Sequence, residues 1–231
     1  MFDGILNMNK PAGISSFSFM RQVQRKLALK KVGFLGTLDP LASGVLVLLC
    51  GKATKLADKL HAATTQNGGN KVYRAVFTFG IETDTLDSAG TVIARSDKFP
   101  SLEGCREAAG WFVGDIEIEV PRFSAVHIGG KRAYDIARRG VDFTPPKRIV
   151  NIKRFEQTTP SPTEPPLQGG EFMFEVECET GTYIRSLAKL LAARLGTVAI
   201  ASSIHRTRVG EFDISTAKTL DEVTINDLLQ V

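Results

Sequence analysis

Gly33-Phe34-Leu35-Gly36-Thr37-Leu38-Asp39-Pro40-Leu41-Ala42-Ser43-Gly44 runs directly into Val45-Leu46-Val47-Leu48-Leu49-Cys50. The second half is an unbroken apolar run, the pattern of a buried strand. The first half sets a single carboxylate, Asp39, among three glycines and a proline. Glycine relaxes φ and proline fixes it, so this density of both predicts a loop. The whole stretch therefore reads as a loop that presents one reactive group ahead of a core strand.

On the N-terminal side, Lys10-Pro11-Ala12-Gly13 predicts a turn. Ser15 or Ser16 then offers an N-cap to a helix with Phe19, Val23 and Leu27 on one stripe and Arg21, Arg25, Lys26, Lys30 and Lys31 mainly off it. On the C-terminal side, Ala53, Leu56, Ala57 and Leu60 recur at helical spacing as far as His61, and the polar run 64–70 predicts a loop. Lys71 to Phe79 alternates, with Tyr73, Ala75, Phe77 and Phe79 on one face. Further strands are expected over 91–94, 115–120, 149–155, 172–178 and 199–209, and helices after Pro100 and over 134–139. A proline-rich excursion covers 158–170. Thr180-Gly181-Thr182-Tyr183-Ile184-Arg185-Ser186 leads from a strand into a helix that carries Ile184, Leu187, Leu191 and Leu195 and stops at Gly196. A short C-terminal helix closes the chain. The class is α/β (α+β), with many alternating strands and fewer helices.

The chain has 231 residues, 43% of them hydrophobic and 23% charged, which is ordinary for a globular protein able to bury its own core. No apolar run approaches the roughly 20 residues that cross a bilayer. The first residues, Met1-Phe2-Asp3-Gly4, carry an acid where an export signal carries positive charge, so a cytoplasmic protein is expected. Cys50, Cys105 and Cys178 are odd in number and far apart, which argues against a disulfide framework, and with His61, His127 and His205 they show no zinc spacing. The net charge of +4 hides an asymmetry: residues 1–74 hold eleven Lys or Arg against three acids, and the rest hold eighteen against twenty-two. The positive surplus thus surrounds Asp39, as suits a polyanion such as nucleic acid, although a solvated basic face has the same composition.

Two other segments bear on chemistry. Glu82-Thr83-Asp84-Thr85-Leu86-Asp87 is acidic, but it lacks the glycine and ligand pattern of a calcium loop, so turn chemistry is expected there. A metal-dependent phosphoryl transfer using Asp39 as nucleophile would need that segment, and no Walker-type loop accompanies it. Gly129-Gly130-Lys131-Arg132 is either an ordinary basic turn or a loop that touches substrate.

Taken together, Asn9-Lys10-Pro11-Ala12-Gly13-Ile14-Ser15-Ser16, the 36–44 loop, Tyr73-Arg74, Thr83-Asp84-Thr85-Leu86-Asp87 and Gly181-Thr182-Tyr183-Ile184-Arg185 resemble the TruB family of tRNA pseudouridine synthases from about Gly4 to about Phe212. The resemblance implies the pseudouridine synthase fold, a mixed, largely antiparallel central sheet flanked by helices. It also implies isomerisation of uridine-55 in the tRNA T-loop, without metal or other cofactor. It puts the catalytic aspartate on Asp39, the active-site tyrosine on Tyr73 and the active-site arginine on Arg185, with substrate-binding positions at Lys10, Phe34, Tyr183 and Arg206. Alone, each of these residues has a duller reading: a turn aspartate, a core tyrosine, a surface arginine. Their occurrence together in separated motifs overturns it.

The residue types suit the reaction. The glycosidic bond must break, and the uracil must turn and rejoin through C5 without leaving the site. A carboxylate is ionised near neutral pH and needs no base to act as a nucleophile, a nearby arginine keeps it so, and a tyrosine ring offers a stacking face. Which atom Asp39 attacks, C1′ or C6, and whether a glycal forms, are open at this level. The chain also departs from the family. Phe34 stands where histidine is usual, His127 where lysine is common, and His205 where arginine is common. The chain is expected to be one catalytic domain over 1–231 without the C-terminal PUA domain, working as a monomer on the tRNA T-arm with no membrane and no obligatory protein partner. The alternative is a tRNA-binding or folding chaperone whose catalysis is secondary or lost.

Overall fold

The computed structural model describes residues 3–57, 59–60, 71–160 and 167–229. His61, the polar run 64–70 and part of the proline-rich excursion lie outside them. In chain order the strands are β1 (Gly4–Lys10), β2 (Val32–Leu35), β3 (Ser43–Cys50), β4 (Lys71–Phe79), β5 (Ile81–Thr83), β6 (Val92–Arg95), β7 (Gly114–Glu119), β8 (His127–Ile128), β9 (Lys131–Arg132), β10 (Lys147–Thr158), β11 (Glu171–Cys178), β12 (Ala199–Val209) and β13 (Phe212–Asp213). The α-helices include α1 (Ser16–Lys26), α2 (Leu102–Gly110), α3 (Ala133–Arg138) and α4 (Ile184–Arg194). Two compact units divide the chain, Met1–Arg74 with Ile204–Val231, and Ala75–Ser203.

In the first unit β3 is the axis. Antiparallel β1 occupies one of its edges from Gly4↔Cys50 to Lys10↔Gly44. The other edge is shared. Antiparallel β2 pairs with Val47 to Cys50, and parallel β12 pairs with Ser43 and Gly44 through His205 and Arg206. Val45, Val47 and Leu49 join a core cluster with Ile5, Leu35 and Phe212, while Leu46, Leu48 and Cys50 are equally buried, so β3 is covered on both faces. That is why its sequence is an unbroken apolar run rather than an alternating one. Helix α1 is capped by Ser15, whose side chain accepts from the Ser18 N–H, and it buries Phe19, Met20 and Val23.

The second unit carries β4 from Ala75 onward, then β11, β10 and β7 in that spatial order, with β10 antiparallel to both β11 and β7. Its core holds an aromatic triad, with Phe174 centred 4.8 Å from Phe77 and 5.4 Å from Phe155. The sheets are mostly antiparallel with helices against them, as expected for the class.

The structure differs from the sequence reading in two places that matter. Phe34 was expected in a loop and lies on β2, opposite Leu48. A four-residue strand is too short to alternate visibly, and its pairing with β3 overrides the local glycines. No α-helix closes the described chain; residues after β13 form two 3₁₀ turns, Ile214–Thr216 and Ile225–Asp227. Asp213 and Thr224 cap those turns through their side chains, and Glu222 accepts from the Thr219 N–H, so the polar side chains take backbone donors that a longer helix would need. The tail instead follows β1, where Ile5 and Leu229 exchange N–H···O bonds of 2.9 Å.

Candidate active site

The Asp39 loop leaves β2 at Leu35 and enters β3 at Ser43. It is held from three sides within the first unit. Ser16 Oγ donates to the Leu38 carbonyl and accepts from the Leu38 N–H, each at 2.8 Å, so the residue before Asp39 is clamped by one buried hydroxyl. Gly13 N–H donates to the Pro40 carbonyl at 2.7 Å, and Ala42 N–H to the Asp39 carbonyl at 3.1 Å. The turn around Gly13 and the Asp39 loop, read separately in the sequence, are thus one structure. Of the Ser15-Ser16 doublet, Ser15 caps the helix while Ser16 holds the loop, so two adjacent serines at a helix start are the signal of two jobs.

Arg206 makes the third brace. It is wholly buried and fills the interval between β2 and β12 on the edge of β3, donating Nε to the Val45 carbonyl at 2.8 Å and Nη2 to the Gly36 carbonyl at 2.9 Å. An arginine expected to touch substrate is therefore placed where it ties both ends of the loop together. Next to it, Ser43 Oγ and His205 Nδ1 lie 2.9 Å apart.

Lys10 is also wholly buried, with Nζ donating to the carbonyls of Pro11 at 2.8 Å and Ile14 at 2.7 Å. Burial pulls its ammonium down to about 8; the Asp39 carboxylate opposes that fall and Arg206 adds to it. Between that value and its ordinary 10.5, the folded protein holds fewer protons on Lys10 than the unfolded chain does. The stability Lys10 contributes therefore rises as pH climbs through that window, by on the order of 3 kcal/mol. Denaturant melts of wild type and Lys10→Met across the window should show a rise in wild type that the variant lacks.

Tyr73 lies on β4 and is 7% exposed. Asp39, Lys10, Arg206, Phe34 and Tyr73 all fall in the first unit. Arg185 and Tyr183 fall in the second.

In that second unit Arg185 opens α4 and is 2% exposed. Its Nη1 donates to the Thr85 carbonyl at 2.7 Å and lies 3.5 Å from the Asp87 carboxylate, and its Nη2 donates to the Phe123 carbonyl at 3.1 Å. Asp87 is itself fixed by the Thr85 hydroxyl and the Ala89 N–H. A cation in a first helical turn opposes the helix dipole, and a buried carboxylate offsets it. The acidic segment thus supplies turn chemistry, as expected, and also a counter-ion that sequence reasoning missed. Tyr183 stands at the N-cap position of the same helix without a side-chain capping bond, and Arg148 lies over its ring at 5.6 Å. The basic Gly129-Gly130 segment is a β8–β9 hairpin beside a cavity of about 480 Å³ lined by His127, Lys131, Arg132, Asp135 and Arg139.

These are the sheets and loops of the pseudouridine synthase fold. Two solved structures share it: an H/ACA ribonucleoprotein bound to a substrate RNA containing 2′-deoxyuridine (25% identity, TM-score 0.66) and a Cbf5–Nop10–Gar1 complex (26%, 0.67). Each match covers 94% of this chain, which spans about half of the matched chain, 51% and 52%. The model of the TruB family pseudouridylate synthases, N-terminal domain, matches residues 24–184. Proteins called tRNA pseudouridine synthase B are similar throughout. That of Caldicellulosiruptor saccharolyticus is 40% identical over 98% of this chain and 74% of its own length, and that of Syntrophobacter fumaroxidans 39% over 95% and 68%. The chain belongs to the TruB family of pseudouridine synthases.

Proposed function

We propose that this protein converts uridine-55 of the tRNA T-loop to pseudouridine, with Asp39 as nucleophile, acting as a monomer in the cytoplasm through both units as one catalytic domain. The observation that carries the reading is the bracing of the Asp39 loop by Ser16, Gly13 and Arg206, which leaves the Asp39 side chain as the loop's chemical group. Tyr73 supplies a stacking face for the uracil, Arg185 serves as the active-site arginine, and Lys10 and Arg206 support the loop. Tyr183 and the β8–β9 hairpin contact RNA. The positive surplus of residues 1–74 provides the field that draws in the backbone and helps offset the few kcal/mol of unstacking a flipped uridine costs. The family relatives called tRNA pseudouridine synthase B support tRNA as substrate. Three free, buried cysteines suit a reducing compartment.

The test is incubation with unmodified tRNA in EDTA, followed by mapping of pseudouridine. Product at position 55 is expected, and its absence sinks the reading. Binding without turnover would instead identify an RNA chaperone.

Phe34 is half-buried on β2 and offers RNA a ring rather than a titratable nitrogen. Phe34→His is expected to keep turnover and to change tRNA affinity by about tenfold or less, the range of one stacking contact. Loss of both on this substitution means that β2 meets RNA in its own way here.

A further inference from the structure

Helix α1 leaves one large apolar side chain in the open. Phe17 is 61% exposed, although Phe19, Met20 and Val23 of the same helix are buried. Positions four apart form a row on a helix, so Phe17, Arg21 and Arg25 line up along its outer face, away from that core stripe. The row begins beside the Asp39 loop, because Ser16, the neighbour of Phe17, holds both backbone groups of Leu38. All of these residues belong to the first unit.

A lone exposed ring or a solvated basic face is ordinary on a globular protein. The charges set this row apart. No acid stands between Asp3 and Asp39 in the sequence, whereas Lys10, Arg21, Arg25, Lys26, Lys30 and Lys31 all do. Like charges four apart on a helix repel, and an acid in the first turn would complement the helix dipole; α1 has the repulsion and lacks the acid. Arg21 Nη1 donates to Gln24 Oε1 at 2.7 Å and Arg25 Nε to the Arg21 carbonyl at 3.3 Å, and among the described residues neither guanidinium pairs with a carboxylate. The helix thus forgoes stabilisation to keep a positive row that ends in an aromatic ring. That combination suits a nucleic acid, with phosphates for the cations and an unpaired base for the ring. It does not suit a membrane surface, because an interfacial helix inserts its apolar face and α1 uses that face in the core.

We propose that the outer face of α1 is an RNA-docking rail: an unpaired base of the tRNA stacks on Phe17, and backbone phosphates sit on Arg21 and Arg25. The inference rests on the reading of tRNA as substrate. Each step of the row rises about 6 Å along the helix axis, so the rail leads RNA down α1 to the loop that carries Asp39. It grips the substrate without touching the reacting uridine.

Binding of an unmodified tRNA transcript should be measured against salt for wild type, Phe17→Ala, Phe17→Trp and a variant carrying both Arg21→Gln and Arg25→Gln, with pseudouridine formation followed in parallel. Loss of two phosphate contacts should lower the slope of log affinity against log salt by about 1.5. Phe17→Ala should weaken affinity about tenfold at unchanged slope, and Phe17→Trp should retain it, since stacking follows ring area rather than charge. Both losses should lie in KM, with kcat within about twofold of wild type. Urea melts separate a merely structural role: an exposed ring and relieved repulsion should leave stability at the wild-type level or above. An unchanged salt slope in the arginine variant, wild-type affinity in Phe17→Ala, or a loss lying wholly in kcat overturns the proposal. So does wild-type binding to phosphatidylserine vesicles that the arginine variant loses while it keeps tRNA, which would assign the face to a membrane. A wild-type protein that needs this face to bind tRNA but forms no pseudouridine defeats the functional reading and leaves the rail standing; product formed by variants that bind as wild type does has the opposite meaning.

Discussion

Asp39→Asn is expected to bind tRNA as wild type does and to form pseudouridine slower by on the order of 10⁴-fold or more, the scale on which enzymes lose turnover when a covalent nucleophile is removed. The substitution is nearly isosteric. The braces described above run to backbone atoms of Gly36, Leu38, Pro40 and Val45, which the substitution leaves in place. What disappears is the carboxylate oxygen that the proposed reaction uses as its nucleophile, which an amide cannot replace. A second consequence is electrostatic: Lys10 loses the carboxylate that opposes its fall in pKa, so it should titrate below the wild-type value of about 8. Pseudouridine mapping beside filter binding reads the first effect, and NMR titration of the Lys10 ammonium the second. Full activity in the asparagine variant refutes the nucleophile assignment.

Gly44→Ala is expected to be the most damaging small substitution in the first unit, costing about 3 kcal/mol or more. Gly44 sits at φ +101, where an L side chain is strained, and it is where β1, β3 and β12 meet, opposite both Lys10 and Arg206. A Cβ there would lie 2.8 Å from the Arg206 nitrogen and 2.9 Å from its carbonyl carbon, with the carbonyl oxygen closer still. Backbone cannot swing aside as the end of a side chain can, so β12 must move off β3 and the Arg206 brace goes with it. Urea melts should show the loss of stability. The variant should also lose activity beyond what its folded fraction explains. Wild-type stability in Gly44→Ala would mean that the close approach of the two strands is not needed.

Much of this was legible before the structure. The limits of β4 and β12 follow from alternation and from the glycines around them, and the capping of α1 follows from a serine ahead of an apolar stripe. The short β2 was not legible, because four residues carry too little pattern and the pairing that forms the strand comes from β3. Neither was the polar tail, whose Asp, Thr and Glu side chains satisfy the backbone locally in ways that periodicity does not register. In the site, the sequence pointed to Asp39, Tyr73 and Arg185 through motifs, and the glycines around Asp39 showed a loop. It did not show that Lys10, Lys71 and Arg206 are buried, since a cation on a strand ordinarily reads as facing water. Burial of a charge depends on what folds over it. Asp87 was hidden for the same reason, as its partner stands 98 positions away, a separation that no local pattern spans.

The bond from Arg206 to the Gly36 carbonyl joins residues 170 positions apart, and that to Val45 spans 161. A ribosome therefore delivers the whole Asp39 loop long before it delivers the strand that holds it. Throughout most of synthesis the nascent chain carries the carboxylate but not the brace that aims it. Under the role proposed for Asp39, activity comes only with the completed chain: fragments that stop short of β12 should form no pseudouridine.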